Sequence, residues 1–223
     1  MRTKTLLAAA AIVAAGLASS QAQSNVYSLN IVGYVNKVIQ PGYNLISNPL
    51  SSGTNGIEQV MNVPDASVVL TWNGSSYNYA ALDTGVWYDA GLAVTAAPVV
   101  PPGKGYFFFN PDVVAFTNTF VGTVVPAPGG TNSLVLNPGY SLVGSVLPVG
   151  GSAITAAPVG LPAIDACVIL KWNGSSYSYA SLDTGIWYDA ALAVTAEPSY
   201  SVGEGFFFFN PDITATSWVQ TLP

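Results

Sequence analysis

A stretch of 41 residues occurs twice in this chain. Trp72–Asp112 contains W-N-G-S-S-Y-N-Y-A, then L-D-T-G-V-W-Y-D-A, then G-K-G-Y-F-F-F-N-P-D, and Trp172–Asp212 repeats it at a shift of 100 with 30 of 41 positions identical. A period that long excludes a solenoid, whose repeats run to roughly 20–50 residues. The chain therefore folds as two similar units or as the two halves of one sandwich. The lead-in also repeats: Pro138-Gly139-Tyr140-Ser141-Leu142-Val143 matches Pro41–Ile46 at a shift of 97. The shift grows to 100 by Asp165, so about three residues were added around Ala156–Ala163, as a surface loop tolerates.

Within each unit the pattern is short apolar runs punctuated by turn residues, and no sustained amphipathic helix appears. Asn25–Ile39 reads as one or two strands and Tyr43–Ser47 as another. Ile57–Met61 fits a single helical turn before Pro64. Ser67–Trp72 and Ser76–Ala80 form a hairpin about Asn73-Gly74, a dipeptide suited to two positive-φ positions. Tyr77 and Tyr79 then share a face. Asp83-Thr84-Gly85 turns again, and Val86–Tyr88 and Leu92–Ala96 read as strands. Tyr106–Phe109 is apolar at every position, which predicts a strand covered on both faces. Gly103 and Gly105 before it predict a close backbone approach. Ala115–Val125 is a further strand, Pro126–Asn132 a linker, and Thr216–Thr221 a closing strand. The expected class is all-β: two tandem sandwich-like or barrel-like units, 23–125 and 126–223, in the order strand, unit, strand, unit, strand.

The first 22 residues read as a secretory signal. Arg2 and Lys4 precede the apolar run Leu6–Ala18, and Ser20-Gln21-Ala22 fits a small-x-small cleavage site. The run holds 13 residues, short of the roughly 20 that cross a bilayer. Export to the cell surface, the exterior or the periplasm of a bacterium is the expectation. The exported chain keeps 3 Lys against 11 Asp and Glu, so 3 − 11 gives −8. That balance excludes nucleic acid as a partner, since it asks for a basic face. Charged residues make up only 7% of the chain, where an average domain has about 25%. Its surface must be built from Ser, Thr, Asn, Gly and backbone, which favours self-association. Cys167 is the single cysteine, so no disulfide forms within the chain. It aligns with Ser67 as a small residue in a strand.

Pro41-Gly42-Tyr43-Asn44-Leu45-Ile46-Ser47-Asn48-Pro49-Leu50, then Trp72-Asn73-Gly74-Ser75-Ser76-Tyr77, then Gly103-Lys104-Gly105-Tyr106-Phe107-Phe108, resembles a module common in secreted proteins of environmental bacteria. Its pattern is roughly G-[WFY]-N-L-I-S-x-P-L, W-x-G-x-x-Y and G-x-G-[YF]-[WF]. The resemblance spans nearly the whole exported chain, twice. The second copy departs at Gly144-Ser145-Val146, where the Asn-Pro step is lost. The resemblance implies secretion and a β-rich module, and it carries no activity and no catalytic residues.

Histidine is absent, which removes Ser-His-Asp and Cys-His catalysis and the commonest zinc ligand. Asp83, Asp89 and Asp112 recur as Asp183, Asp189 and Asp212. A glycosidase needs two carboxyls across a cleft, but these residues sit in D-T-G and N-P-D, where Asx side chains cap turns. Calcium is the other use of Asp83, Asp89, Asp183 and Asp189, although their spacing matches no EF-hand. The expectation is no enzyme and no cofactor.

Trp72, Tyr77, Tyr79, Trp87 and Tyr88 recur as Trp172, Tyr177, Tyr179, Trp187 and Tyr188. Such sets serve as sugar-stacking platforms or as the cores of small β-units. Two functional readings follow. The first is a secreted structural or surface-assembly protein that associates through its edge strands. The second is a module that binds polysaccharide on the aromatic sets, with a glycan hydrolase as the remote third. Lys104 and Glu204 hold equivalent positions with opposite charge, a pair suited to a head-to-tail contact.

Overall fold

The computed structural model describes residues 31–125, 129–151 and 153–221. The signal segment 1–22 and the Asn25–Asn30 part of the first strand segment lie outside these residues. The described chain is all-β, with one short helical turn, α1 (Ile57–Val60), where it was expected. The first copy supplies β1 (Val32–Ile39), β2 (Gly42–Ser47), β3 (Val68–Trp72), β4 (Tyr77–Asp83), β5 (Val86–Tyr88), β6 (Gly105–Asn110) and β7 (Phe116–Thr123). The second supplies β8 (Thr131–Leu136), β9 (Gly139–Val143), β10 (Val168–Trp172), β11 (Tyr177–Asp183), β12 (Ile186–Tyr188), β13 (Phe206–Asn210) and β14 (Thr216–Thr221).

Each copy makes one antiparallel five-stranded sheet and one two-stranded ribbon. The sheets run β2-β6-β3-β4-β5 and β9-β13-β10-β11-β12, and the ribbons are β1-β7 and β8-β14. Strand period 2 divides each sheet into two faces. One face of the first sheet carries Ile46, Val69, Ala80, Trp87, Tyr106 and Phe108, which pack on Ile39 and Phe120 of the ribbon. The second copy repeats this core with Val143, Ile169, Ala180, Trp187, Phe206 and Phe208 against Leu136 and Trp218. The opposite faces meet each other: Leu45 and Phe107 pack on Leu142 and Phe207, flanked by Leu70, Trp72, Leu170 and Trp172. The layer order is ribbon, sheet, sheet, ribbon. Phe107 and Phe108 point to different cores and are both buried, so β6 is covered on both faces as its unbroken apolar run requires. Each such ring removed from water contributes roughly 1.5–3 kcal/mol.

The seam between the sheets also joins backbones. The edge strand β2 bridges the turn before β13, with Ile46 opposite Glu204 and the Ser47 amide donating to Gly203 O at 3.0 Å. Its counterpart β9 bridges the turn before β6, with Val143 opposite Lys104 and the Gly144 amide donating to Gly103 O at 3.2 Å. The expected close approach is here. A Cβ on Gly105 would lie 3.0 Å from both N and O of Val143, and one on Gly205 would lie 2.6 Å from Ile46 O. Each copy thus covers the other's sheet edge, which would otherwise template aggregation. At the far edges, β5 and β12 are only 3 residues long.

Four local expectations change. The stretch called a linker ends in β8, which pairs with β14 in the register Leu134 opposite Trp218. The order is therefore strand, unit, strand, twice over. Leu92–Ala96 makes a single bridge and not a strand: Asp89 Oδ1 accepts the amides of Gly91 and Ala93 at 2.8 and 3.0 Å, folding the chain into a turn that sets Val94 opposite Tyr88. Asn73-Gly74 lies in a four-residue loop with only Gly74 at positive φ, +106°. Asn73 Oδ1 instead takes the amides of Ser75 and Ser76 at 3.0 and 2.9 Å. The two-residue turn with both φ positive is Thr84-Gly85, at 50° and 78°, between the paired Asp83 and Val86.

Candidate functional site

The duplicated aromatic set divides between two environments. Trp87 and Trp187 lie in the cores between sheet and ribbon, and Trp87 Nε1 donates to Glu58 Oε1 at 2.7 Å. They are packing residues. Trp72 and Trp172 lie at the seam, half-buried. Trp72 Nε1 donates to Tyr140 O at 2.9 Å and Trp172 Nε1 to Tyr43 O at 2.8 Å. Each copy therefore locks its tryptophan onto the other copy's edge strand. Tyr77 and Tyr177 meet between them, hydroxyl to hydroxyl at 3.3 Å. Burial, followed by this mutual hydrogen bond, pushes the Tyr77 phenol above its ordinary range. The alternation of β4 puts Tyr79 on the same face as Tyr77, as expected, and both are exposed. Tyr179 is half-buried, as are Tyr88 and Tyr188.

Two shallow notches flank the Tyr77–Tyr177 contact, and each is built from both copies. One, of about 190 Å³, is lined by Tyr43, Leu70, Tyr77, Phe107, Trp172 and Tyr177. The other, of about 220 Å³, is lined by the equivalent residues Tyr140, Leu170, Tyr177, Phe207, Trp72 and Tyr77. Their rings meet edge to face: Trp72 on Phe207 at 5.4 Å and 90°, Phe107 on Trp172 at 5.5 Å and 86°. This is the arrangement aromatic quadrupoles favour. No charged residue lines either notch. Four of the expected platform residues, Trp72, Tyr77, Trp172 and Tyr177, come together here. Tyr43 and Tyr140 join them from outside the expected set. The repeated P-G-Y motif marked them, but it read as turn and strand alone.

The carboxylates do local work. Asp89 and Asp189 cap their own loops through the amides at 91, 93, 191 and 193. Asp83 does not cap the turn it opens: the Thr84 amide donates to Asp65 Oδ1 at 2.6 Å. In N-P-D it is Asn110 Oδ1 that accepts the Asp112 amide, at 3.0 Å, with Asn210 and Asp212 repeating this. Among the described residues, no three of His, Cys, Asp and Glu converge where a metal ion could be held.

Within the chain, Glu204 is engaged by partners other than Lys104. Glu204 Oε1 binds Lys171 Nζ at 2.8 Å, and its other oxygen accepts the Ser201 amide at 3.0 Å. Lys37 faces Glu204 from β1, with burial depressing its ammonium and the carboxylate partly restoring it. The ion pair is peculiar to the second copy, because position 71 is Thr where 171 is Lys. Cys167 is buried, and burial raises its thiol, which keeps it unreactive.

Both terminal strands are paired within the chain, β1 with β7 and β14 with β8. The outward-facing positions of the ribbons include Val32, Tyr34, Val38 and Val121 on the first and Val135 and Val219 on the second, all more than half exposed. No helix of the described residues is long and apolar enough to cross a membrane. In comparisons with family models, curated proteins and solved structures, nothing matches this chain.

Proposed function

We propose that the chain is an exported, non-enzymatic structural protein that assembles at the bacterial surface or beyond it, through the outward faces of its two ribbons. The observation that carries this reading is the distribution of charge. The exported chain has a net charge of 3 − 11 = −8, yet every exposed position on the two ribbon faces is uncharged, chiefly Val, Thr, Ser and Tyr. On such a surface, copies approach with least repulsion where no charge stands. β-faces of β-branched residues pack about 10 Å apart, as sheets do in a sandwich. The layer order puts one such face at each end of the molecule, so contacts at both ends propagate a string of copies rather than close a dimer. The first ribbon is the more apolar face, with Tyr34 opposite Val121.

Sedimentation velocity of the chain from Gln23 onward tests this across protein and salt concentration. Association is expected to grow with both, because salt screens the net negative charge. Tyr34→Glu with Val219→Glu, one change on each ribbon face, is expected to hold the protein monomeric. A monomer at high concentration in high salt would refute the reading.

A further inference from the structure

We infer that the two notches at the seam form one paired binding site for a neutral, linear polysaccharide. This goes beyond the assembly reading and shares no residue with the ribbon faces. Four observations on the notches support it.

The first is chemical. The floor of each notch is leucine and aromatic ring, while tyrosine is repeated at the mouth. Tyr43 and Tyr140 are each 38% exposed, and Tyr77 and Tyr177 are 39% and 38%. A pyranose has an apolar face of C–H bonds and an equator of hydroxyls. The C–H face matches the apolar ring floor, and the hydroxyls stay in water at the open mouth. The second is electrostatic: with no charge in either notch, a uronic or sulfated glycan finds no counter-charge for the charge it must desolvate, a cost that a neutral glycan does not carry.

The third is rigidity. The indole N–H of each tryptophan is already committed to a carbonyl of the opposite copy, so the platforms are set before a ligand arrives. Preorganised side chains lose little entropy on binding. The fourth is size and number. About 190 and 220 Å³ suits one sugar ring in each notch, and both notches are open. The notches share Tyr77 and Tyr177, so adjacent sugars of one chain reach both. Two weak sites on one ligand then act with a high effective concentration. Their equivalence under the chain's internal two-fold also makes the site indifferent to the direction of the polysaccharide.

The test is a fluorescence titration of the chain from Gln23 onward. Cellohexaose and laminarihexaose serve as neutral probes and a galacturonic acid hexamer as the charged one. A neutral hexamer is expected to change the emission of the seam tryptophans and the charged hexamer to leave it unchanged. Tyr43→Ala and Tyr140→Ala are each expected to weaken binding by about tenfold and to a similar extent, with no measurable binding when both are changed. Thermal melts show whether these variants fold. If they do not, Tyr43→Leu with Tyr140→Leu keeps apolar bulk, removes the flat stacking faces and is expected to weaken binding severalfold. Silence toward both neutral hexamers, equal binding of the charged one, or unaltered affinity in every folded variant would overturn the inference. Tyr34→Glu with Val219→Glu must leave the titration unchanged. The failure of either proposal therefore leaves the other standing.

Discussion

Ser47 and Gly144, equivalent positions of the two copies, lie against each other across the seam. A Cβ added to Gly144 would overlap the Ser47 side chain and stand 2.8 Å from Glu204 O. Only one of the two copies can carry a side chain at that point. Packing of the first copy on the second thus accounts for the glycine at 144, the first residue of the duplicate's departure at Gly144-Ser145-Val146. Tyr77 and Tyr177 make the same point with the opposite result, since two hydroxyls can share a hydrogen bond where two methylene groups cannot share space.

Gly144→Ala is therefore expected to destabilise the protein by about 2–3 kcal/mol, at the upper end of overpacking costs. Adding Ser47→Gly removes one of the two obstacles and should recover part of the loss. Denaturant unfolding of both single variants and the double gives the coupling. Strict additivity would show that the seam does not close as described.

Ser67 and Cys167 supply an internal comparison. Both are fully buried, but Ser67 Oγ has no hydrogen-bond partner, a situation that costs about 1–3 kcal/mol. A thiol in the same place is a small apolar group. Ser67→Cys is expected to raise the thermal midpoint by a few degrees, and Cys167→Ser to lower it. Opposite signs in calorimetry would mean that Ser67 is satisfied by a water.

Alkaline pH should unfold the chain early. Burial raises the phenols of Tyr77 and Tyr106 and lifts Tyr200 to about 12. A raised acid binds its proton more tightly when folded, so its contribution is complete below the ordinary tyrosine value of 10.0 and is lost as pH rises through the raised values. Burial raises Tyr43 and the Cys167 thiol in the same sense, and Lys37, depressed by burial, acts in the other direction, one group against five. Thermal midpoints should hold steady to about pH 9 and fall above 10. Tyr106→Phe should make the fall shallower, and an unchanged slope would count against this assignment.

Trp87→Ala and Trp187→Ala are core deletions and not tests of sugar binding. Each is expected to cost about 3–5 kcal/mol, and Trp87→Ala also leaves Glu58 without its indole donor. Circular dichroism melts check this. Midpoints near the wild type would place these rings outside the cores.

The β class, the duplication and the two-faced strand Tyr106–Phe109 were legible because they depend on local chemistry: period 2, turn residues and an apolar run too long for a one-sided strand. Gly105 also announced a close approach, since a strand gives up a side chain only where something else fills the space. The aromatic set could not be sorted in the same way. Trp72 and Trp87 are equally aromatic and equally repeated, and which one reaches the seam depends on the face each strand turns to the opposite copy. Tyr43 and Tyr140 enter the notches only because β2 and β9 are edge strands that the other copy covers. Sequence alone determined two copies of one β-unit with few charges. The tertiary structure decided that the copies pack sheet to sheet about an internal two-fold, because contacts between residues about 100 positions apart leave no periodicity in the chain.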